Sequence, residues 1–154
     1  MRRRALLARL LAAPLAAEDW PQFRGPSGQG HSTEKGLPLQ WSADRNVRWK
    51  TAVPGSGWSS PSIAGDRLWL TAATGNGTSL RVLSIDPNSG KIALDTEVFN
   101  VSDRGPGIHK KNSFASPTAI VDGDRVYVHF GFYGTACLDT KGKVLWKQVL
   151  KYEP

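Results

Sequence analysis

Residues 60–70 read SPSIAGDRLWL and residues 116–128 read SPTAIVDGDRVYV, so one pattern occurs twice in this chain of 154 residues. Each copy opens with Ser-Pro, reverses at a Gly-Asp-Arg step and runs into alternating apolar residues. The alternation predicts a half-buried β-strand, and glycine supplies the positive φ that a tight hairpin needs. The two copies therefore predict two hairpins of one repeated structural unit.

Both copies continue alike after this hairpin. A glycine-rich turn precedes a third strand that ends in Asp86 or Asp139, and another turn precedes a fourth strand. Four short antiparallel strands that recur about every fifty residues are typical of a β-propeller blade. We therefore expect an all-β fold, a partial β-propeller with two four-stranded antiparallel blades plus one N-terminal strand. The predicted blades span residues 58–98 and 114–150.

The additional N-terminal strand is predicted from a partial third copy. Residues 47–50 read VRWK, and residues 144–147 in the fourth strand of the second blade read VLWK. We expect residues 46–53 to be a fourth strand whose three partner strands are not in this sequence. In a closed ring such a strand completes the last blade. The repeat region, 46–154, is thus expected to be the N-terminal fragment of a longer propeller, with the missing C-terminal blades as its partners.

The first 17 residues, 1–17, are predicted to be a secretory signal peptide. Three arginines precede a short apolar run, and two alanines offer a cleavage site before Glu18. The apolar run is too short to span a bilayer comfortably, and Arg9 and Pro14 interrupt it. We expect a bacterial protein that is exported to the periplasm or secreted, with residues 18–45 as an N-terminal extension. Cleavage of the signal and its retention both stay open.

Charge and cysteine content exclude several classes of protein. The formal net charge is +7, but four of the arginines belong to the predicted signal and the other basic residues are scattered, so no nucleic-acid partner is expected. Cys137 is the only cysteine, which excludes an internal disulfide and a paired-cysteine zinc site. Its place within an apolar strand pattern predicts a buried thiol.

A family resemblance enters with residues 136–146, ACLDTKGKVLW. They resemble the tryptophan-docking repeat of pyrroloquinoline-quinone (PQQ) type propellers, A-x-D-x-x-x-G-K-x-x-W, with one residue fewer between aspartate and glycine. The first copy has the full spacing but a leucine in place of the tryptophan. Residues 20–26, WPQFRGP, resemble the start of secreted bacterial PQQ-binding-like repeat proteins. The resemblance implies that the tryptophan packs on the neighbouring blade, and it assigns docking to Trp49, Asp86, Gly90, Leu94, Asp139, Gly142 and Trp146.

The resemblance implies a fold without fixing an activity, because this blade type serves both quinoprotein dehydrogenases and the outer-membrane assembly factor BamB. We expect a non-catalytic binding or scaffold module and assign no catalytic or metal-binding residue. The alternative is the N-terminal part of a PQQ-dependent alcohol or sugar dehydrogenase whose active-site residues lie in missing blades. Only this alternative requires PQQ and calcium as cofactors. The vicinal cysteine pair of such enzymes is absent from this sequence.

A ligand site is predicted from the topology. First strands line the channel of a propeller, so the segments that lead into them meet at one mouth. These lead-in segments, residues 55–60 and 109–114, carry aromatic, hydroxyl and basic side chains that suit a polar or acidic ligand or another envelope protein. The alternative is that the lysines are solvated and that Trp58 and Phe114 pack between blades. The candidate mouth residues are Trp58, Ser59, His109, Lys110, Asn112 and Ser113.

Overall fold

Two antiparallel sheets account for all the strands that the structure describes. The structure is a computed structural model and describes residues 18–102 and 108–149. The predicted signal peptide, part of the connection between the blades and the last predicted residue of the second blade lie outside the described residues. Within those two ranges no helix is long and apolar enough to cross a membrane. The expected all-β fold class is confirmed.

The two sheets have the strand orders β1-β2-β3-β4, here called blade 1, and β5-β6-β7-β8, here called blade 2. The strands of blade 1 are β1 (Ser62–Ala64), β2 (Arg67–Thr74), β3 (Ser79–Ile85) and β4 (Ile92–Asn100). The strands of blade 2 are β5 (Ile120–Asp122), β6 (Arg125–His129), β7 (Thr135–Asp139) and β8 (Val144–Gln148). Short 3-10 turns, Gly75–Gly77 and Gly131–Tyr133, follow the second strand of each blade, where the sequence predicts glycine-rich turns.

The first strands begin later than the predicted starts of the blades, at Ser62 and at Ile120. The residues before β1 bond partly to their own blade, where Ser56 pairs with Ala73 of β2, and partly to the opposite blade. The backbone amides of Trp58 and Ser59 both donate to the carbonyl of Ala115. Because a backbone amide has one hydrogen to donate, this use keeps the amides of Trp58 and Ser59 out of the ladder of blade 1.

Residues 46–53, predicted to be a strand, form no strand within the described part of the chain. They meet blade 1 through side chains: the indole Nε1 of Trp49 donates to the carbonyl of Pro87 at 2.8 Å, and the hydroxyl of Thr51 donates to the carbonyl of Gly90. A ladder needs the edge of a neighbouring strand, whereas this segment contacts the turn between β3 and β4.

The main hydrophobic core lies between the two blades. We call the face of each blade that points toward the following blade its downstream face. Side chains that are at most 1% exposed meet here from both blades: Trp69, Val82 and Val98 of blade 1 with Val126 and Leu138 of blade 2. Since burial of apolar area is the main stabilising term in folding, the two blades depend on each other. A buried hydrogen bond from Ser62 Oγ to the carbonyl of Ala119, 2.5 Å long, crosses the same interface.

Candidate binding site at the channel mouth

Hydrogen bonds across the blades join the lead-in segment of blade 1 to the residues just after the lead-in segment of blade 2. The amides of Trp58 and Ser59 reach the Ala115 carbonyl at 3.0 and 3.2 Å, and the amide of Ser60 donates to Thr118 Oγ1 at 3.0 Å. These bonds satisfy backbone groups that would otherwise require water. The mouth between the blades is therefore one bonded surface and not two independent loops.

A third segment reaches the same surface from the N-terminal extension. Trp20 exchanges two backbone hydrogen bonds with Ile63 on β1, at 2.7 and 2.8 Å, and the carbonyl of Pro21 accepts the amide of Val121 on β5 at 2.8 Å. The segment thus bonds to the first strands of both blades. It turns back at Gly25, where φ is +75° and a Cβ would lie 2.7 Å from the Trp20 ring, so only glycine fits there.

The N-terminal extension, the lead-in segment of blade 1 and residues 116–120, which follow the lead-in segment of blade 2, enclose an open cleft of about 440 Å³, which we call the mouth cleft. Phe23 and Trp58 expose 58% and 60% of their surface, and the guanidinium of Arg24 lies 5.4 Å from the centre of the Phe23 ring. The cleft is lined by uncharged residues: Gln22, Phe23, Trp58, Ser60, Ser116, Pro117, Thr118 and Ile120. Aromatic faces and hydroxyls of this kind recognise a ligand by stacking and hydrogen bonding.

Of the six predicted mouth residues, the structure places Trp58 in the lining of the mouth cleft. Ser59 is tied to blade 1, because its hydroxyl donates to the carbonyl of Thr71 on β2 at 3.3 Å and accepts the Thr71 amide at 3.2 Å. His109 and Lys110 are exposed outside the lining, and His109 Nδ1 accepts the amide of Lys111 at 3.2 Å. The six predicted mouth residues therefore do not line one common site.

Asn112 and Ser113 belong to a polar turn beside the mouth cleft. The side-chain oxygen of Asn112 accepts the amide of Ser113 at 3.0 Å and the hydroxyl of Ser116. Both residues line a smaller cleft of about 170 Å³ that shares Ser116 and Pro117 with the mouth cleft.

Of the two aromatic residues in the lead-in segments, one packs between the blades, as the alternative interpretation predicts for both. Phe114 packs between the blades: its ring lies 5.9 Å from that of Tyr133 in blade 2, and a Cβ on Gly77 in blade 1 would come within 2.5 Å of it. Trp58, in contrast, faces the solvent. The two lead-in segments therefore supply one structural aromatic and one aromatic that is free to bind.

Gln22 and Phe23 line the cleft although sequence reasoning did not select them. Their stretch, WPQFRGP, stands out in the sequence only through its family resemblance. The Pro and Gly of this stretch signal a turn, but no local pattern indicates that residue 23 lies beside residues 58 and 118. That proximity comes from the bonds of Trp20 and Pro21 to the two first strands.

The docking residues repeat one arrangement on both blades. The ring of Trp49 covers Gly90, where a Cβ would lie 2.5 Å from it, and Leu94 covers Gly142 in the same way. Two residues further along, the hydroxyls of Thr51 and Thr96 donate to the carbonyls of these glycines, the second at 3.4 Å. Blade 2 therefore receives β4 as blade 1 receives the segment of Trp49. Trp146 is 46% exposed, and its ring lies 6.3 Å from that of Tyr127 in its own blade, tilted by 51°.

Asp86 and Asp139 shape the turns that present these glycines. The carboxylate of Asp86 accepts the amide of Asn88 at 2.7 Å and the hydroxyl of Ser89 at 2.9 Å. These two hydrogen bonds, the backbone one first, hold the pKa of Asp86 below its ordinary value. Asp139 accepts the amides of Lys141 and Lys143, each at 2.9 Å. Both aspartates serve the turn.

In the described ranges no three His, Cys, Asp or Glu residues lie close enough to hold a metal ion. Cys137 is buried, and burial raises the pKa of its thiol, which keeps it in the less nucleophilic protonated form.

Comparison with known proteins agrees with the repeat. A family model described as "Outer membrane protein assembly factor BamB" matches residues 31–154. The match covers both blades and all the docking residues, and it begins after the WPQFRGP stretch. No curated protein matches the chain significantly.

Proposed function

The chain belongs to the BamB-like family of PQQ-repeat propellers, and from this premise we propose that it is an exported binding or scaffold module of the cell envelope. In this proposal the protein is periplasmic or secreted and is not a catalyst. Its mouth cleft binds an extended, acidic segment of another envelope protein. The observation that carries the proposal is the exposed aromatic pair, Phe23 and Trp58, in a cleft bordered by hydroxyls.

Charge beside the cleft supports an acidic ligand. Arg24 follows Phe23 directly and is exposed, and the exposed pair Lys110-Lys111 precedes the turn whose Ser116 lines the cleft. The lining itself contains no carboxylate. Cations at the border raise the rate of encounter with an acidic chain, and the aromatic faces supply the contact area that holds it.

Further blades of the same protein are proposed as the second partner. The downstream face of blade 2 presents Ile120 and Trp146, which are 47% and 46% exposed. A following blade with a glycine at the position of Gly142 would receive Trp146 as Gly142 receives Leu94. The support for this proposal is the repeated docking arrangement, which occurs at both preceding positions.

Peptide binding tests the proposal directly. The probes are two end-blocked fluorescent peptides of equal length, one of Glu and Ser around a single Phe and one with Lys in place of each Glu. We expect the acidic peptide to bind more tightly and to weaken with added salt. Trp58→Ala and Phe23→Ala should each lower its affinity about tenfold.

The matched control for these variants is Trp41→Ala, because Trp41 is 70% exposed and lies outside the mouth cleft. It should leave the affinity unchanged. Equal binding of the two peptides, or an unchanged affinity in Trp58→Ala, refutes the proposal.

PQQ and calcium are required only by the dehydrogenase alternative, and the described residues do not supply a site for the calcium ion. Among residues 18–102 and 108–149, no three His, Cys, Asp or Glu side chains converge on a metal position. Titration of PQQ and Ca²⁺ with dye reduction as the readout separates the two functions, since uptake with turnover would establish the dehydrogenase.

A further inference from the structure

Glu18, the residue that follows the predicted cleavage site, is held by the residue pair 33–34. Its backbone nitrogen donates to Glu34 Oε1 at 2.6 Å. Its carboxylate accepts the amide and the hydroxyl of Thr33, each at 3.4 Å. The two segments therefore bind each other in both directions, with a carboxylate placed against the nitrogen of Glu18.

The residues after Glu18 are fastened to the blades. Asp19 Oδ1 accepts the amide of Gly65 at 2.9 Å, and Trp20 and Pro21 bond to β1 and β5 as described above. A peptidase acts on exposed chain that it can bind on both sides of the scissile bond. Since residues 19–21 are engaged in the folded protein, cleavage before Glu18 has to precede their docking.

We propose that processing hydrolyses the peptide bond between Ala17 and Glu18 and that the folded protein binds the new α-ammonium group with the carboxylate of Glu34. A signal peptidase supplies the catalysis and water is the co-reactant. Water adds to the carbonyl carbon of Ala17, the C–N bond breaks, Ala17 leaves as a carboxylate and the Glu18 nitrogen takes up protons. The inference rests on the export that is part of the proposed function.

Among the charged side chains described around the Glu18 nitrogen, the carboxylate of Glu34 is the group that accepts its hydrogen bond. The carboxylate of Glu18 is bonded to Thr33, that of Asp19 is bonded to Gly65, and Lys35 is exposed next to Glu34. In the precursor the Glu18 nitrogen is a neutral amide, whereas after cleavage it is a cation with three hydrogens. A separation of 2.6 Å is as short as a charge-assisted hydrogen bond. The position of Glu34 therefore suits the processed chain better than the precursor.

The first experiment expresses the full chain, Met1 to Pro154, in a bacterium and measures the intact mass of the protein from the periplasm and the medium. We expect a chain that begins at Glu18. A chain that begins elsewhere overturns the processing site, and a full-length chain retained inside the cell also overturns the export in the proposed function.

The second experiment labels the α-amine of the processed protein by reductive methylation with ¹³C and follows its resonance against pH. We expect the α-ammonium pKa to be about half a unit higher in the wild type than in Glu34→Gln, the size of a surface ion pair. Glu34→Asp, which retains the charge, should retain part of the shift. Asp44→Asn removes an exposed charge from the same extension and should change nothing. Equal pKa values in wild type and Glu34→Gln overturn the Glu34 contact while export stands.

Discussion

Two equivalent rows of side chains cross the downstream faces of the two blades and meet different surroundings. Strand pairing aligns Ser62, Trp69, Ser84 and Leu94 in blade 1, and Ile120, Tyr127, Cys137 and Trp146 in blade 2. Blade 2 covers the first row, so Trp69 is 1% exposed, whereas Ile120 and Trp146 of the second row remain about half exposed. The pairing within each sheet is the same, so the neighbouring blade alone decides which row is core.

The third residue of each row, Ser84 or Cys137, is buried in both blades, but different neighbours bury it. Cys137 is buried although its row is open, because Tyr127 and Trp146 flank it across the strands. Ser84 occupies the equivalent place in blade 1 and is buried by the next blade. Among the described residues it is the one whose buried hydroxyl has no hydrogen-bond partner. The row of blade 1, which blade 2 covers, is therefore more deeply buried, and it contains one unfavourable group, the Ser84 hydroxyl.

The largest expected effect is the difference in stability loss between matched substitutions in the two rows. Trp69→Ala removes a fully buried ring from the core between the blades and should lower the free energy of unfolding by about 3–5 kcal/mol. Tyr127→Ala, the matched change in the open row, should cost only about 1 kcal/mol because the ring is already partly hydrated. Urea unfolding followed by circular dichroism measures both. Equal losses would contradict the assignment of the rows.

The docking glycines provide a second, smaller contrast. Gly90 has φ +71° and faces the Trp49 ring, while Gly65 has φ +58° and open space around it. Gly90→Ala should therefore cost about 2–3 kcal/mol, from backbone strain and from displacement of the tryptophan, and Gly65→Ala about 1 kcal/mol from strain alone. The NMR resonance of the Trp49 indole N–H, which donates to the carbonyl of Pro87, should shift only in the Gly90 variant. An unchanged Trp49 signal would show that the ring does not depend on this glycine.

Removal of the Ser84 hydroxyl should raise the stability of the protein, whereas the substitutions above should lower it. Ser84→Ala removes a buried donor without a partner and should stabilise the protein by up to about 1 kcal/mol. Ser89→Ala is the control, since its hydroxyl donates to Asp86 at 2.9 Å and its loss should destabilise. Thermal unfolding of the two variants should move in opposite directions, and a lower melting temperature for Ser84→Ala would reveal a partner for that hydroxyl.

The smallest effect is the pH dependence that Asp86 gives to blade 1. The folded-state pKa of Asp86 lies below its ordinary value of 3.8, because the Asn88 amide and the Ser89 hydroxyl favour the charged form. The stability that this charge contributes is present above pH 3.8 and is lost as the pH falls through the lower folded-state value. Asp86→Asn should be less stable than the wild type at pH 7, and the gap should close below pH 3.8. Urea midpoints from pH 7 to pH 2 measure it, and a gap that widens in acid would reverse the sign.

Much of each blade was predictable because its determinants are local. The Gly-Asp-Arg hairpins, the alternating strands and the Asp86 turn follow from residues that contact neighbours a few positions away. The segment of Trp49 illustrates the limit. Its likeness to residues 144–147 indicates docking on a blade, but a strand depends on a partner edge that no local pattern reports.

The candidate site was less predictable because its parts come from three distant segments. Sequence alone selected Trp58, while Phe23 entered through the bonds of Trp20 and Pro21 to both blades. Ser59 and Phe114 have residue types that suit a mouth, yet the Ser59 hydroxyl bonds to Thr71 within blade 1 and the Phe114 ring packs between the blades. A side chain's type indicates what it can bind, but only its neighbours decide whether it is free to do so.

The sequence by itself determined the repeat, the all-β class and the turns, since strand period and turn geometry are properties of short stretches of chain. Only the tertiary structure decided which of two equivalent rows is buried, where the first strands begin and which aromatic side chains face the mouth cleft. The physical reason is that burial and long-range hydrogen bonds belong to pairs of segments. Ser62 and Ala119, joined by one hydrogen bond across 57 positions of sequence, are the simplest case.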